Sequence, residues 1–106
     1  MSTFDEREKA QENKYAREQE LEFKAQARRN KLLGLWAAEL MGLSGAEADA
    51  YARDVVKADF EEPGHEDVFR KIRGDFDARG VEQTDHQIRV KMAQLLDDAR
   101  AQVRSE

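Results

Sequence analysis

No glycine or proline interrupts the chain before Gly34, so nothing in its first 33 residues forbids a helix. Within that stretch, residues 1–17 read Met1-Ser2-Thr3-Phe4-Asp5-Glu6-Arg7-Glu8-Lys9-Ala10-Gln11-Glu12-Asn13-Lys14-Tyr15-Ala16-Arg17. They run charged on every side, with Phe4 and Tyr15 as the aromatic groups. A helix that is polar all round has no face to bury against its own domain. The segment is therefore either a disordered tail or a helix made for another protein.

Thr3-Phe4-Asp5-Glu6 fits a capping box, with Thr3 as N-cap and Glu6 reaching back. Asp5 with Lys9 and Glu20 with Lys24 are favourable pairs four residues apart, whereas Glu8 and Glu12 repel. Pairs of that kind do not hold an isolated helix together in water. The arm is expected to be frayed or disordered alone and helical when bound.

The pattern changes after residue 20. Leu32, Leu33, Leu35, Trp36, Leu40 and Met41 form an apolar stripe with spacings of three and four, and Gly42 is placed to end that helix in a left-handed cap. Ser44-Gly45-Ala46-Glu47 reads as a second capping box. It starts a helix whose inward face is Ala48, Tyr51, Ala52, Val55, Val56 and Phe60. Pro63-Gly64 breaks the chain. A third helix opens with Glu66 and Asp67, where the helix dipole favours acids. It buries Val68, Phe69, Ile72 and Phe76, and stops at Gly80. Thr84-Asp85-His86-Gln87 is another capping box. The last helix runs to about Arg104, with Ile88, Met92, Leu95, Leu96, Ala99 and Val103 facing in.

These features predict an all-α fold: a small four-helix bundle over residues 20–106, preceded by an N-terminal disordered or helical arm over residues 1–19. Trp36 is the expected largest contributor to the core. Burying an aromatic of its size removes about 150–250 Å² from water, worth roughly 4–6 kcal/mol as an upper bound.

Composition narrows the function. The chain has 106 residues, 39% of them charged, and a net charge of −5. That balance argues against a nucleic-acid binder, which carries a basic excess. The absence of cysteine removes disulfide and thiolate chemistry. No apolar run approaches a membrane span, and no secretory signal is evident. A soluble intracellular protein, monomeric when free, is expected.

No catalytic constellation emerges. His65 and His86 sit at helix beginnings without partners at metal-ligand spacing, so no metal site is expected. Asp75-Phe76-Asp77-Ala78-Arg79-Gly80 faintly resembles a calcium loop but lacks its third acid and its closing Glu. Asp97 and Asp98 belong to a solvated helix face, and no glycine-rich phosphate loop occurs. The chain is read as a non-enzyme without a cofactor. Ala27-Arg28-Arg29-Asn30-Lys31 is a small basic cluster with two readings. It is a solvated turn of helix, or it makes a contact: Arg28, Arg29 and Lys31 meet an anion or nucleotide phosphate, with ATP or ADP as a weak ligand, or the cluster docks on an acidic partner surface.

The arm also has two readings, an expendable tail or a partner-binding helix. On a helix, Phe4 and Tyr15 lie about 20° apart and three turns along, with Gln11 between them on the same line. Arg7, Glu8 and Glu12 flank that line. Ordering such an arm costs about 1–2 kcal/mol per residue in backbone entropy. Two buried aromatics return roughly 3 kcal/mol each. A partner must therefore supply contacts around most of the helix: a deep, enclosing cleft and not a shallow groove.

The pattern Phe4-x-x-Arg7-Glu8-Lys9-Ala10-x-Glu12-x-x-Tyr15-x-Arg17 resembles the inhibitory segment of the mitochondrial ATP synthase inhibitor protein. The whole chain, including Ala27-Arg28-Arg29-Asn30-Lys31-Leu32-Leu33-Gly34-Leu35-Trp36-Ala37-Ala38, resembles the zeta subunit of alphaproteobacterial F-type ATP synthases. The resemblance implies an inhibitor of ATP hydrolysis that is cytoplasmic and peripheral to the inner membrane through the synthase. It implies that the arm wedges as a helix between alpha and beta subunits, near the rotating gamma subunit. Phe4 and Tyr15 would be apolar anchors, and Glu12 would pair with an arginine of beta. Arg7, Glu8, Lys9 and Arg17 would make the surrounding polar contacts, beside the partner-facing Gln11 that helix geometry puts on the anchors' line. The helix would block rotation in the hydrolysis direction and be expelled in the synthesis direction. Two features of the mitochondrial inhibitor do not transfer. Its long dimerising coiled coil is replaced here by a glycine-punctuated bundle, and its histidine pH switch has no counterpart in an arm without histidine. The other classes left open are a small helical nucleotide-sensing domain and a generic helical adaptor.

Overall fold

Glycines and polar caps divide the chain into four helices in the computed structural model, which describes residues 3–59 and 66–106, with side chains from residue 16 onward. They are α1 (Thr3–Leu40), α2 (Gly45–Ala58), α3 (Glu66–Arg79) and α4 (Asp85–Arg104). The described residues contain no strand, so the fold is all-α as expected. The Thr3–Glu6 box and the Pro63-Gly64 break lie outside the described side chains and residues, as do Phe60 and His65.

α1 stops where the chain can turn left-handed. Gly42 has φ 78°. The Gly42 N–H donates to the Glu39 carbonyl at 3.1 Å and the Leu43 N–H to the Ala38 carbonyl at 2.9 Å. This is the paired bonding of a Schellman cap, which satisfies carbonyls the helix leaves orphaned. α3 ends by the same device: Gly80 has φ 70°, and the Val81 N–H reaches the Phe76 carbonyl at 2.9 Å. α4 begins on the expected capping box. Thr84 Oγ1 accepts from the Gln87 N–H at 3.1 Å, and the Thr84 N–H donates to Gln87 Oε1 at 2.9 Å. The box expected at α2 does not form. Ser44 occupies the N-cap with extended backbone, but its side chain makes no capping hydrogen bond. Gly45 begins the helix at φ 57°, outside the right-handed region the box requires at its first helical position.

α1 is the axis of the bundle. It packs along α2 and α4 and also touches α3, while α3 bridges α2 and α4. The main core joins Leu33, Ala37 and Ala38 of α1 to Tyr51 and Val55 of α2. It continues through Val68, Phe69, Ile72 and Phe76 of α3 to Ile88 and Met92 of α4. The inward faces of α3 and α4 follow the sequence pattern, except that Leu95 and Leu96 are half-buried. On α2, Ala58 is buried and Val56 half-buried.

The α1 stripe needs a larger correction. Leu32, Leu35, Trp36 and Met41 are half-buried, and Leu40 is exposed. Two helices press on α1, and only small groups fit where they approach. A Cβ on Gly34 would lie 3.2 Å from Val55 Cγ2. Small residues therefore line the centre of the face and large ones flank it. Trp36 is accordingly not the core's largest buried group; Phe76, fully buried, is the largest apolar one. Trp36 meets Phe76 edge-on at 5.6 Å between ring centroids, and Lys91 Nζ lies over the Trp36 ring, 5.9 Å from its centroid.

Two arginines fix the α3–α4 pair. Arg73 Nη1 donates to the Gln83 carbonyl at 2.6 Å and to Asp85 Oδ1 at 3.1 Å, pinning the connecting loop. Arg89 grips Glu66 with both terminal nitrogens while its guanidinium lies 3.9 Å from the Phe69 ring centroid.

Candidate partner-binding surface

Every site residue expected from the sequence falls on α1. Phe4, Arg7, Glu8, Lys9, Gln11, Glu12 and Tyr15 lie outside the described side chains. Arg17 is exposed, as are all residues from 16 to 20. No neighbouring helix covers α1 there. Burial begins gradually: Leu21 and Glu22 are half-buried, and Ala25 is fully buried.

The partner for this upper part of α1 is the far end of α4. Ala25, Ala99 and Val103 form a second apolar cluster, separate from the main core, with Leu21 and Leu96 packed against it. Beside it, Arg100 Nε and Nη2 donate to the two carboxylate oxygens of Glu22 at 3.0 and 2.7 Å. The hydrogen bond from Arg100 is the main reason the Glu22 carboxyl is held below the usual glutamate range. Arg28 pairs with Glu106 just beyond α4. Arg17, Glu18, Leu21 and Lys24 of α1 face Val103, Arg104 and Glu106 across an open groove.

The basic cluster of α1 is dispersed. Arg28 is engaged by Glu106. Arg29 is 2% exposed, and its Nε donates to the Oδ1 of buried Asn30 at 2.7 Å. The expectation of a solvated turn is therefore corrected at these two residues. Desolvation pushes the Arg29 pKa down from the ordinary arginine value, and the Asp59 charge opposes that fall. Arginine stays charged in such a setting, so Arg29 is a structural cation between α1 and the end of α2. Lys31 alone faces outward, into a groove shared with Asp49, Ala52, Arg53, Val56 and Lys57 of α2. Arg53 and Lys57 were not singled out in the sequence. Their spacing of four on one face of α2 was the signal available.

The run faintly like a calcium loop has ordinary structural duties. Asp75 accepts from the Tyr51 hydroxyl at 2.7 Å and from Lys71 at 3.2 Å. Asp77 accepts from Arg73 at 2.7 Å. Burial, reinforced by the bond to Asp75, holds the Tyr51 phenol well above its ordinary range. His86 is exposed in the first turn of α4, and Asp97 and Asp98 are exposed further along it. Among the described residues, no group of three or more acidic or histidine side chains is placed to hold a metal ion. No described helix is long and apolar enough to cross a membrane.

The family described as ATPase inhibitor subunit zeta matches residues 1–102, and its description is that of a regulatory subunit and not a catalyst. A protein of known solution NMR structure is 54% identical, with a TM-score of 0.71 over 80% of this chain and 96% of that one. No curated protein matches the sequence. The length of the family match establishes that this chain belongs to the ATPase inhibitor subunit zeta family.

Proposed function

We propose that the chain inhibits ATP hydrolysis by F-type ATP synthase by inserting residues 1–19, as a helix, into a catalytic interface between alpha and beta subunits near gamma. The bundle of residues 20–106 is the scaffold that carries this arm. The observation that supports the reading most is the course of α1. Its bundle end is fixed by buried Leu33 and Ala37, yet the same helix reaches Thr3, and residues 16–20 are exposed throughout. At 1.5 Å per residue, a 38-residue helix is about 57 Å long. Such a rod suits an enclosing cleft that contacts a helix on most sides. In this reading Phe4 and Tyr15 are the apolar anchors, Glu12 pairs with an arginine of beta, and Arg7, Glu8, Lys9, Gln11 and Arg17 line the polar contact.

The test is to add purified protein, intact or lacking residues 1–18, to hydrolysing synthase from its own membranes. The intact chain is expected to inhibit. The truncated chain is expected to lose inhibition while circular dichroism still reports a folded helical domain. Inhibition by the truncated chain would place the active element elsewhere.

A second reading is favoured by the α1–α2 groove. Lys31, Arg53 and Lys57 bring three cations to it against the single carboxylate of Asp49, a balance that suits nucleotide phosphate. Of the cations expected from the sequence, Lys31 is the one placed there. ATP or ADP at millimolar concentration should shift the amide resonances of Lys31 and Arg53 with or without the arm. Unmoved resonances would end this reading.

A further inference from the structure

The far end of α4 meets α1 where the arm begins. The apolar cluster of Ala25, Ala99 and Val103 is built separately from the main core. The Arg100–Glu22 pair flanks it with both carboxylate oxygens engaged, a geometry that fixes orientation better than a single contact does. These groups hold α1 about two to three turns beyond its last contact with the main core at Leu33. The position matters because a helix is difficult to start and easy to extend. A segment that folds onto an existing helix end avoids nucleation, whereas a segment reached through a frayed stretch must order that stretch as well.

We infer that Arg100 and Val103 are positioning residues for inhibition: with Glu22 and Ala25 they keep α1 helical up to the root of the arm, so that an arm that has frayed refolds from a formed end. The inference rests on the inhibitory reading given above for the arm. Without the clamp, α1 is secured only from about Arg29, buried with Asn30 against the end of α2, and the residues between there and Arg17 must be ordered during insertion.

Two full-length variants test this. Arg100→Ala removes the clamp's charge pair. Arg89→Ala removes a comparable arginine–carboxylate pair, with Glu66, near the start of α4. The clamp predicts faster amide exchange at residues 18–24 and about two- to fivefold weaker inhibition for Arg100→Ala, the range of an exposed ion pair converted to an equilibrium ratio. Arg89→Ala should change neither. The double exchange Glu22→Arg with Arg100→Glu should recover both. Unaltered exchange at residues 18–24 in Arg100→Ala overturns the inference, as does unaltered inhibition despite faster exchange. Equal effects from Arg89→Ala also overturn it, by showing general destabilisation. If the intact chain does not inhibit at all, the inhibitory reading fails, and the exchange measurement still decides whether the clamp holds α1.

Discussion

Gly34 and Ala52 are in contact at the backbone: a Cβ on Gly34 would lie 2.7 Å from Ala52 Cα. Backbone cannot give way as a flexible side chain can, so α1 and α2 would have to separate. Overpacking of this kind costs about 1–3 kcal/mol, and alanine's better helix propensity returns about 1 kcal/mol. Gly34→Ala should therefore destabilise the domain by up to about 2 kcal/mol in urea unfolding. Gly74, inside α3, has nothing within 4 Å of its added Cβ. Gly74→Ala should stabilise the fold by about 0.5–1 kcal/mol through the chain-entropy effect alone. Opposite signs at two helical glycines separate close packing from propensity. Stabilisation by both would mean that α2 does not press on Gly34.

The two helix starts make a second contrast. Thr84 satisfies the Gln87 N–H and receives the reciprocal bond, whereas Ser44 makes no side-chain capping bond. Thr84→Ala should cost about 1 kcal/mol, the usual loss for a working cap. Ser44→Ala should cost only a few tenths at most, since no such bond is lost. Equal losses in denaturant midpoint, at unchanged slope, would show that Ser44 caps α2 in solution after all.

What the sequence disclosed and what it concealed divide along a physical line. The stops at Gly42 and Gly80 and the start at Thr84 were legible because each is settled within about six residues. The Ser44 box misled because its pattern is indifferent to the sign of φ at Gly45. Burial on α1 was misjudged for another reason. Hydrophobicity ranks Trp36 first, but how deeply a side chain sits depends on which helices cross it and how closely. Close crossing favoured Gly34, Ala37 and Ala38. Arg29 and Asn30 were hidden inside a basic run that resembled solvent-facing helix. Glu22 and Arg100 are 78 residues apart, and no local periodicity relates them. For the surface of the arm, the motif named residues that the described side chains do not reach.

The clamp and the arm should answer differently to pH. Glu22 has its carboxyl pKa lowered, chiefly by the Arg100 hydrogen bond. A group whose folded pKa is depressed contributes stability above its unfolded value, about 4.3 for glutamate, and loses it as pH falls through the folded value. Loosening of residues 18–24 against α4 is therefore expected only in acid below about pH 4. The arm contains no histidine, so fractional inhibition at fixed protein concentration should be flat from about pH 6 to about pH 8, where histidine would titrate. Measuring inhibited fraction across that range, with the synthase's own activity at each pH as the reference, checks the claim. A sigmoidal loss with a midpoint near histidine's would contradict it.

Phe4 and Tyr15 make the sharpest test of how the arm is held. Truncating a fully buried ring of this size to alanine removes roughly 1.5–3 kcal/mol of apolar transfer, which corresponds to roughly a ten- to hundredfold change in equilibrium binding. Mutations within one interface act mostly on dissociation. Phe4→Ala and Tyr15→Ala should therefore lengthen the onset of inhibition little and shorten its persistence greatly after dilution. The bundle's urea midpoint should stay in place, since in this reading neither ring packs against the bundle. Time courses of hydrolysis after mixing and after dilution supply both rates. Slower onset with unchanged persistence would make the rings participants in folding the arm and not anchors in the cleft. A lowered urea midpoint would tie them to the bundle and remove the free arm on which insertion depends.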